Sequence, residues 1–388
     1  MITDPTAVFF VLAGVVAVAI ALELRTKVFR ALGSALVGIL LGMLLSNSGI
    51  IPGESVVYEF LGGPLVYAGI ILILLTVDVR SIIEAGPTML AAFMVGSIGS
   101  AAGASISAYL LADSIGPETW KLAGQYTATY MGGGVNFAAV GAALDTSGDL
   151  FAAGIAADVM MTAIWMATCL TVPVLFAVRS PSAPTEPLAA ESDATAADGN
   201  AKATLHQMLY SSVGAIRLQD LATMAVIVLG TLWVSDALGA WLAPIPSVLF
   251  LTTIALLFAQ LPAVRSMHGA GVMGNYLVLI FLSGNGAMSV IANIVVIGPP
   301  IVYFALITVT VHGLIIFGVG RLVGLDLPTL AVASQAAVGG PASAMALATA
   351  RGYHDRLLPG VAVGLLGYAA GNYAGLGVAA VMRSVIGG

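Results

Sequence analysis

Two glycine clusters interrupt long apolar stretches of this 388-residue chain. The first stretch reads Gln-Tyr-Thr-Ala-Thr-Tyr-Met-Gly-Gly-Gly-Val-Asn over residues 125–136, and the second reads Ser-Gln-Ala-Ala-Val-Gly-Gly-Pro-Ala-Ser over residues 334–343. Irregular backbone inside a bilayer is tolerated only where it is buried in protein or lines a watery cavity. Paired interruptions at corresponding places in two halves of a chain point to a transporter's binding site. The clusters therefore predict two broken segments that face a common site.

The composition indicates a polytopic membrane protein. The chain is 59% hydrophobic and 8% charged, with a mean hydropathy of +1.04, whereas soluble proteins carry about 25% charged residues. It has no basic patch, which argues against nucleic acid as a partner. Its single cysteine, Cys169, excludes a disulfide framework. No nucleophile–base pair or metal-ligand set is visible, so we expect neither an enzyme nor a resident cofactor.

Ten apolar segments have about the 17–25 residues that cross a bilayer. The first is read as a retained helix, because Asp4 precedes it and basic residues follow it, which places the N-terminus outside. We predict an N-terminal transmembrane repeat over 1–180, a flexible linker over 181–204 and a C-terminal repeat over 205–388. The spans lie near residues 6–24, 32–47, 61–77, 87–112, 150–176, 220–238, 245–262, 273–293, 299–320 and 358–382.

The two halves resemble each other weakly but in order. Gly-Pro at 86–87 corresponds to Gly-Pro at 298–299, an offset of 212 residues, and Gly-Gly at 132–133 corresponds to 339–340, an offset of 207. Low-complexity apolar sequence aligns easily by chance, which is the alternative. Order together with a nearly constant offset favours a true repeat.

Charge placement addresses whether the glycine segments cross the membrane. If both re-enter on the side they came from, each half has five crossings, the repeats are inverted and most basic loop residues fall inside. If both cross fully, Arg265 and Arg321 fall outside and the repeats are parallel. The positive-inside bias favours ten crossings with two broken or re-entrant segments. An arrangement with eleven crossings stays open.

Asp158 is the most informative single side chain. It lies about eight residues into its predicted span, roughly 12 Å deep at 1.5 Å per residue. An intramembrane carboxylate is costly and is by default a hypothesis of function. The alternative is an aspartate that caps a neighbouring helix or pairs with a backbone amide. As the carboxylate well inside a predicted span, Asp158 is the candidate sodium ligand or proton carrier.

The glycine segments supply the candidate substrate-binding groups. A helix break exposes amide hydrogens at one half-helix and carbonyls at the other, which attract anions and cations respectively. Glycine permits the tight turn and a close approach of substrate to backbone. The alternative is close helix packing through small residues. The candidates are Gln125, Thr127, Thr129, Gly132, Gly133, Gly134, Asn136, Ser334, Gln335, Gly339, Gly340 and Ser343.

Several neutral polar residues also fall inside apolar spans. Asn372 is a candidate ion-coupling residue because its span holds the place in the second half that the span of Asp158 holds in the first. Asn285, Asn293 and Asn372 are each more often interhelical hydrogen-bonding residues than ligands. His312, near the middle of a span, is interpreted as a satisfied core histidine rather than a proton relay.

The stretch 125–162, together with Val-Gly-Gly-Pro-Ala-Ser at 338–343, resembles the YjcL-like family of bacterial and plastid membrane proteins, known as domain of unknown function 819. That family is distantly similar to the superfamily of cation–proton antiporters and anion transporters, which includes bile-acid, glutamate and citrate sodium symporters. The resemblance implies inverted five-helix repeats with discontinuous helices or re-entrant glycine loops. It also implies homodimers and an elevator motion of a core against a scaffold.

Carried over by position, the resemblance makes 132–136 and 339–343 the substrate-facing breaks and Asp158 the ion-binding aspartate. Members often have Asp-Asn where this chain has Asp158-Val159, so the second ligand of that pair is missing. The expected protein is all-α and resides in a bacterial inner membrane or a plastid membrane.

The leading hypothesis is a secondary active transporter that takes up a small organic anion or amino-acid-like solute by symport with sodium or protons. The first alternative is a cation–proton antiporter in which Asp158 exchanges the two ions. The second is a non-transporting membrane sensor or scaffold, which would not need broken helices.

Overall fold

A computed structural model describes residues 1–78, 80, 83, 85–177, 215–242 and 245–387. The predicted linker, 181–204, lies outside these ranges, as do residues 205–214. All regular structure in the described ranges is helical. The helices are α1 (Pro5–Arg25), α2 (Lys27–Asn47), α3 (Val56–Phe60), α4 (Val66–Leu74), α5 (Gly86–Ile115), α6 (Thr119–Gly132), α7 (Gly134–Ala143), α8 (Gly148–Ala177), α9 (Leu218–Trp241), α10 (Ser247–Ala259), α11 (Pro262–Arg265), α12 (Ala270–Ala287), α13 (Ile291–Leu322), α14 (Leu327–Ala350) and α15 (His354–Ile386).

The helix starts follow ordinary capping chemistry. The Asp4 carboxylate accepts a hydrogen bond from the Ala7 amide at 2.8 Å ahead of α1, and the Asp326 carboxylate accepts from the Thr329 amide at 3.0 Å ahead of α14. Such caps satisfy amides that the first helical turn leaves without partners. A π-helical turn, Leu61–Leu65, joins α3 to α4 around Pro64.

Nine helices in the described part of the chain are long and apolar enough to cross a membrane. Three shorter apolar helices in the described residues are Gly33–Asn47, Gly134–Ala143 and Ser247–Ala259. The first is short because Gly33, at φ +76°, interrupts α2. The expectation of a polytopic all-α membrane protein is confirmed.

The first glycine segment folds back on itself. Helices α6 and α7 form an antiparallel hairpin, and its two ends meet: Lys121 Nζ donates to the Asp145 carbonyl at 2.6 Å, and the Glu118 carboxylate accepts from the Ser147 amide at 3.1 Å. Further in, the Gln125 side chain bridges the arms by donating to the Phe137 carbonyl. We call residues 119–143 the first hairpin.

The second glycine segment also reverses, although α14 is long enough to be a membrane span by length alone. The chain turns at Gly340, and both arms pack on α15: a Cβ placed on Gly360 would overlap Val332 and lie 3.5 Å from the Cβ of Ala344. Arg356, six residues beyond the end of α14, pairs with Asp326 at its start at 3.2 Å. Residues 327–350 therefore form the second hairpin.

The hairpin bases lie at opposite ends of the molecule. At the first-hairpin end, Ser289 Oγ donates to the Gly148 carbonyl at 2.9 Å, and the Arg383 guanidinium lies 5.0 Å from the Trp120 ring. At the second-hairpin end, Arg265 pairs with Asp78 at 2.8 Å. Between these ends run α1, α2, α3–α4, α5, α8, α9, α10, α12, α13 and α15, which gives ten through-running segments.

The helices divide into two bundles. The hairpin bundle consists of both hairpins with α5, α8, α13 and α15, and its tightest pairs are α5 with α13 and α6 with α15. The flanking bundle consists of α1–α4 and α9–α12. Contacts within each bundle greatly outnumber those between them. The fold therefore places both glycine breaks inside one of two separately packed units.

This topology predicts which loops label from the same side of a membrane. Ser48→Cys and Ser147→Cys should react with an impermeant thiol reagent from one side, and Ser266→Cys and Asp355→Cys from the other, since these exposed positions lie at opposite ends. The unmodified chain is the control, because its Cys169 is fully buried. Labelling of Ser147→Cys and Asp355→Cys from the same side would contradict two opposed hairpins.

Candidate functional site

The tips of the two hairpins touch each other. A Cβ placed on Gly133 would lie 3.5 Å from the Cα of Gly340, and one placed on Gly340 would lie 3.1 Å from the Gly132 carbonyl oxygen. Both tips lie against the central part of α15, at Gly364 and Gly367. Two hairpins that start from opposite ends of the molecule thus meet inside the hairpin bundle.

Glycine is required at both tips by backbone conformation. Gly133 has φ +97° and ψ 176°, and Gly340 has φ +77° and ψ −174°. Extended backbone at positive φ is essentially restricted to glycine. The same residue type at the same conformation lets each helix reverse in a single step.

Asp158 lies beside the tips, ten residues into α8. Its Oδ2 accepts a hydrogen bond from Thr129 at 3.4 Å and lies 3.9 Å from a Cβ placed on Gly134. The residue is 6% exposed, and Oδ1 has no hydrogen-bond partner among the described residues. These distances place Asp158 next to the glycine breaks, as expected. The functional role of Asp158 stays a prediction.

Gln335, close to the second tip, is another buried group with unused hydrogen-bonding capacity among the described residues. It is fully buried, and neither its side-chain oxygen nor its nitrogen has a partner among the described residues. Its Nε2 lies 2.7 Å from a Cβ placed on Gly339, next to the second tip. Buried polar groups normally have partners. Such groups at the tips are what a site for a polar ligand needs.

Other candidates hold the hairpins in place. Thr146 donates to Gln125 at 3.0 Å, and Thr127 donates to the Ala123 carbonyl of its own helix at 2.7 Å. Asn136 donates to the Gly367 carbonyl at 2.8 Å, and Ser343 donates to the Gly340 carbonyl at 3.0 Å. The Asn136 and Ser343 bonds therefore brace the tips, the Thr146 bond holds the first hairpin near its base, and the Thr127 bond stays within its own helix.

The structure does not bring Asn372 to Asp158. The Asn372 amide faces the flanking bundle and donates to Thr252 of α10 at 3.3 Å. Helical rotation explains this, because the preceding Gly371 is the residue that faces Asn136. The side chain of Asn293 lies outside the described residues.

A glycine stripe on α15 was missed from the sequence. Cβ atoms placed on Gly367, Gly371 or Gly375 would clash with or crowd the first arm of the first hairpin, at Met131, Ala128 and Gly124 respectively. The four-residue spacing of these glycines is the signal that would have revealed it. Gly132 belongs to the same contact, since its own Cβ would overlap the Gly367 backbone. Close helix packing through small residues, the alternative considered for the glycine segments, therefore occurs next to the first break, between α15 and the first arm of the first hairpin.

A buried hydrogen-bond network joins the two hairpins through His312. Its Nε2 lies 2.8 Å from Ser334 Oγ, which also accepts from Trp165 Nε1 at 2.9 Å. Its Nδ1 lies 2.9 Å from Ser100 Oγ and from the Gly96 carbonyl, and Ser100 donates to the Tyr130 carbonyl. A carbonyl can only accept, so Nδ1 carries the proton and Nε2 accepts from Ser334. His312 is thus fully partnered, in agreement with its interpretation as a satisfied core histidine.

Removing the Ser334 hydroxyl should destabilise this network strongly. Ser334→Ala leaves His312 Nε2 and Trp165 Nε1 buried without partners, at about 1–3 kcal/mol each, which denaturant unfolding in detergent would measure. The matched control is Ser105→Ala, whose half-buried hydroxyl donates to the Ala101 carbonyl of its own helix. Equal losses of stability in the two variants would show that the network contributes nothing.

Each hairpin base is held by a carboxylate at an end of the molecule. Burial alone would raise the pKa of Glu118, but hydrogen bonds from Lys121 and Ser147 outweigh it and hold that pKa below its ordinary value. Burial is likewise outweighed at Asp326, where hydrogen bonds from Thr329 and the charge of Arg356 lower the pKa. A lowered carboxyl pKa stabilises the fold above the unfolded-state pKa, and this stability is lost as pH falls through the folded-state pKa. The two carboxylates therefore hold the hairpin ends in place at neutral pH.

These features define a polytopic all-α membrane protein with two hairpins whose bases lie at opposite ends of the molecule. Residues 9–385 match the family described as "Protein of unknown function (DUF819)". The chain is 30% identical over 373 residues to the "Uncharacterized membrane protein YjcL" of Bacillus subtilis (strain 168), covering 92% of each chain. The chain belongs to the DUF819 family. The family resemblance seen in the sequence is confirmed, and the link to the wider superfamily stays a prediction.

Proposed function

We propose that this protein is a secondary active transporter whose substrate and coupling ion bind where the two hairpin tips meet. The observation that carries the proposal is the contact of Gly133 with Gly340, beside the buried carboxylate of Asp158 and the amide of Gln335, which has no partner among the described residues. Opposed half-helices direct amides and carbonyls at such a point, as transporter binding sites require. Neutral backbone dipoles and one carboxylate suit a small polar solute together with a cation.

The proposed motion is an elevator movement of the hairpin bundle against the flanking bundle. Each bundle packs mainly within itself, and few contacts join them, which favours relative displacement as rigid units. The first hairpin packs on α15 and the second hairpin packs on α8, so each hairpin lies against the last long helix of the other half, and α5 packs on α13 as a symmetric pair. This correspondence supports inverted repeats over 1–180 and 205–388. We extend the proposal to a homodimer in a bacterial inner membrane or plastid membrane.

Asp158 is the proposed coupling residue. Its Oδ1, which has no partner in the part of the chain that the structure describes, and its place beside the tips suit a sodium ion, which takes oxygen ligands, or a proton. Thr129 Oγ and backbone carbonyls at the tips would supply the further oxygens around a sodium ion. Coupling by symport follows if solute and cation occupy adjacent positions and move together.

A thermal-unfolding screen of the purified protein tests the proposal. A specific ligand raises the unfolding midpoint in proportion to the logarithm of its concentration over Kd. We expect at least one small solute to stabilise the wild type, more strongly with sodium or at low pH. Stabilisation by sodium or protons with no solute effect would favour the antiporter. No ligand or ion effect at any condition would favour a sensor or scaffold.

The cation–proton antiporter is the second candidate, and the isolation of Asp158 favours it. Its hydrogen-bond partner among the described residues is Thr129, so no ion pair competes with an incoming cation. Ion transport in proteoliposomes distinguishes the antiporter from the solute transporter, because an antiporter moves ions without any organic solute.

A further inference from the structure

A large cavity opens between the two bundles at the first-hairpin end. Its volume is about 820 Å³, within the range of small-molecule sites. The flanking bundle contributes α3, the π-helical turn and the end of α12, and the hairpin bundle contributes the second arm of the first hairpin and the start of α8. We call it the interbundle cavity. It lies where the bundles would slide past each other, and it reaches Gly141 rather than the tips.

The charged side chains that line this cavity are all acidic among the described residues. The carboxylates of Glu54, Glu59 and Asp145 line it, and no lysine, arginine or histidine does so among the described residues. The neighbouring cation, Lys121, is engaged by Glu118 and by the Asp145 carbonyl. Clefts lined by one sign of charge concentrate ligands of the opposite sign. An anionic solute would be repelled at this entrance.

An unused buried amide in the wall points to a ligand independently of the acidic groups. Asn285 is 7% exposed and lines the cavity, and its side chain makes no hydrogen bond with the described residues. The expected interhelical hydrogen bond of Asn285 is not found among the described residues. The aromatic side chains of Tyr58, Phe151 and Phe281 line the same cavity. Aromatic rings attract ammonium groups, and the amide can bond a polar group of the same solute.

We infer that the interbundle cavity is an entry site for an organic solute that carries an ammonium group. This inference rests on the proposed transport function and narrows its substrate class, from an organic anion or an amino-acid-like solute to one bearing an amine. The carboxylates attract the ammonium group, the aromatic wall accommodates it, and Asn285 bonds the solute's polar part.

Charged thiol reagents test the electrostatics without knowledge of the natural solute. Asn285→Cys, in a background with Cys169→Ser, is treated with cationic trimethylammonium-ethyl or anionic sulfonatoethyl methanethiosulfonate. Relative to the exposed control Ser48→Cys, we expect the cationic reagent to be favoured by roughly tenfold or more. Adding Glu59→Gln should lower this preference, and adding Asp113→Asn, at the same end but outside the cavity, should not. No preference over Ser48→Cys, or equal effects of Glu59→Gln and Asp113→Asn, would overturn the inference.

Choline and succinate then distinguish ligand classes on the otherwise native protein. Choline should slow modification of Asn285→Cys and raise the unfolding midpoint of the wild type, and succinate at equal ionic strength should do neither. Protection by succinate alone, or by neither compound, would overturn the inference. Gradient-driven uptake of an anion with no choline effect would leave the transporter standing without this site. Choline protection without any uptake would leave the site standing without the transporter.

Discussion

Asp158→Asn will abolish gradient-driven accumulation while leaving the fold intact. One cation carried across 100 mV contributes about 2.3 kcal/mol, which corresponds to roughly 50-fold accumulation of a coupled solute. The substitution keeps size and shape and can still accept from Thr129, so the lost property is the negative charge. The variant should equilibrate solute across proteoliposomes without concentrating it, and its unfolding midpoint should match or exceed that of the wild type.

The control for this prediction is Asp113→Asn, which removes one exposed carboxylate away from the tips. It should keep the full response to sodium or proton gradients. If Asp158→Asn concentrates solute as well as the wild type, Asp158 is structural, and coupling must reside in the carbonyls of the two breaks.

Gly133→Ala and Gly340→Ala should each destabilise the protein and stop transport. Both residues have positive φ with extended ψ, and an L residue held there costs of order 1–3 kcal/mol. At Gly340 the added Cβ would also lie 3.1 Å from the Gly132 carbonyl oxygen, which forces the tips apart. The double variant should lose more stability than either single variant. Denaturant unfolding and proteoliposome uptake measure the two effects.

Gly230→Ala is the matched control, because a Cβ there meets nothing within 4 Å and the residue lies in the interior of α9. Replacing a helical glycine by alanine should stabilise that helix by up to about 1 kcal/mol. Tips that tolerate alanine as well as Gly230 does would contradict the account of the breaks.

The sequence predicted the helical spans and the two breaks because both depend on local chemistry. Apolar length defines α1, α5 and α13, and consecutive glycines are poor helix formers wherever they occur. The charge argument favoured ten crossings, and the ion pairs at the hairpin bases, such as Arg356 with Asp326, agree with it. The position of Asp158 followed from its depth in a span.

Tertiary packing decided what the sequence left open. Gln125, Thr127 and Asn136 were predicted to line a site, yet Gln125 bonds across the first hairpin, Asn136 bonds α15 and Thr127 bonds its own helix. Helical rotation turned Asn372 to the flanking bundle. The residue type alone does not show whether a buried polar side chain holds helices together or is available to a ligand. That distinction requires the positions of its hydrogen-bond partners. The structure was needed to show that the Gln335 side chain has no hydrogen-bond partner among the described residues.

The central claim is most directly tested by uptake of a uniformly ¹⁴C-labelled cell hydrolysate into proteoliposomes, since this mixture requires no prior choice of solute. The transporter account predicts radioactivity concentrated inside wild-type vesicles under an inward sodium or proton gradient. It further predicts that an ionophore releases this radioactivity and that Asp158→Asn vesicles never accumulate it. Wild-type vesicles that take up no more than protein-free vesicles, under either gradient, would contradict the account.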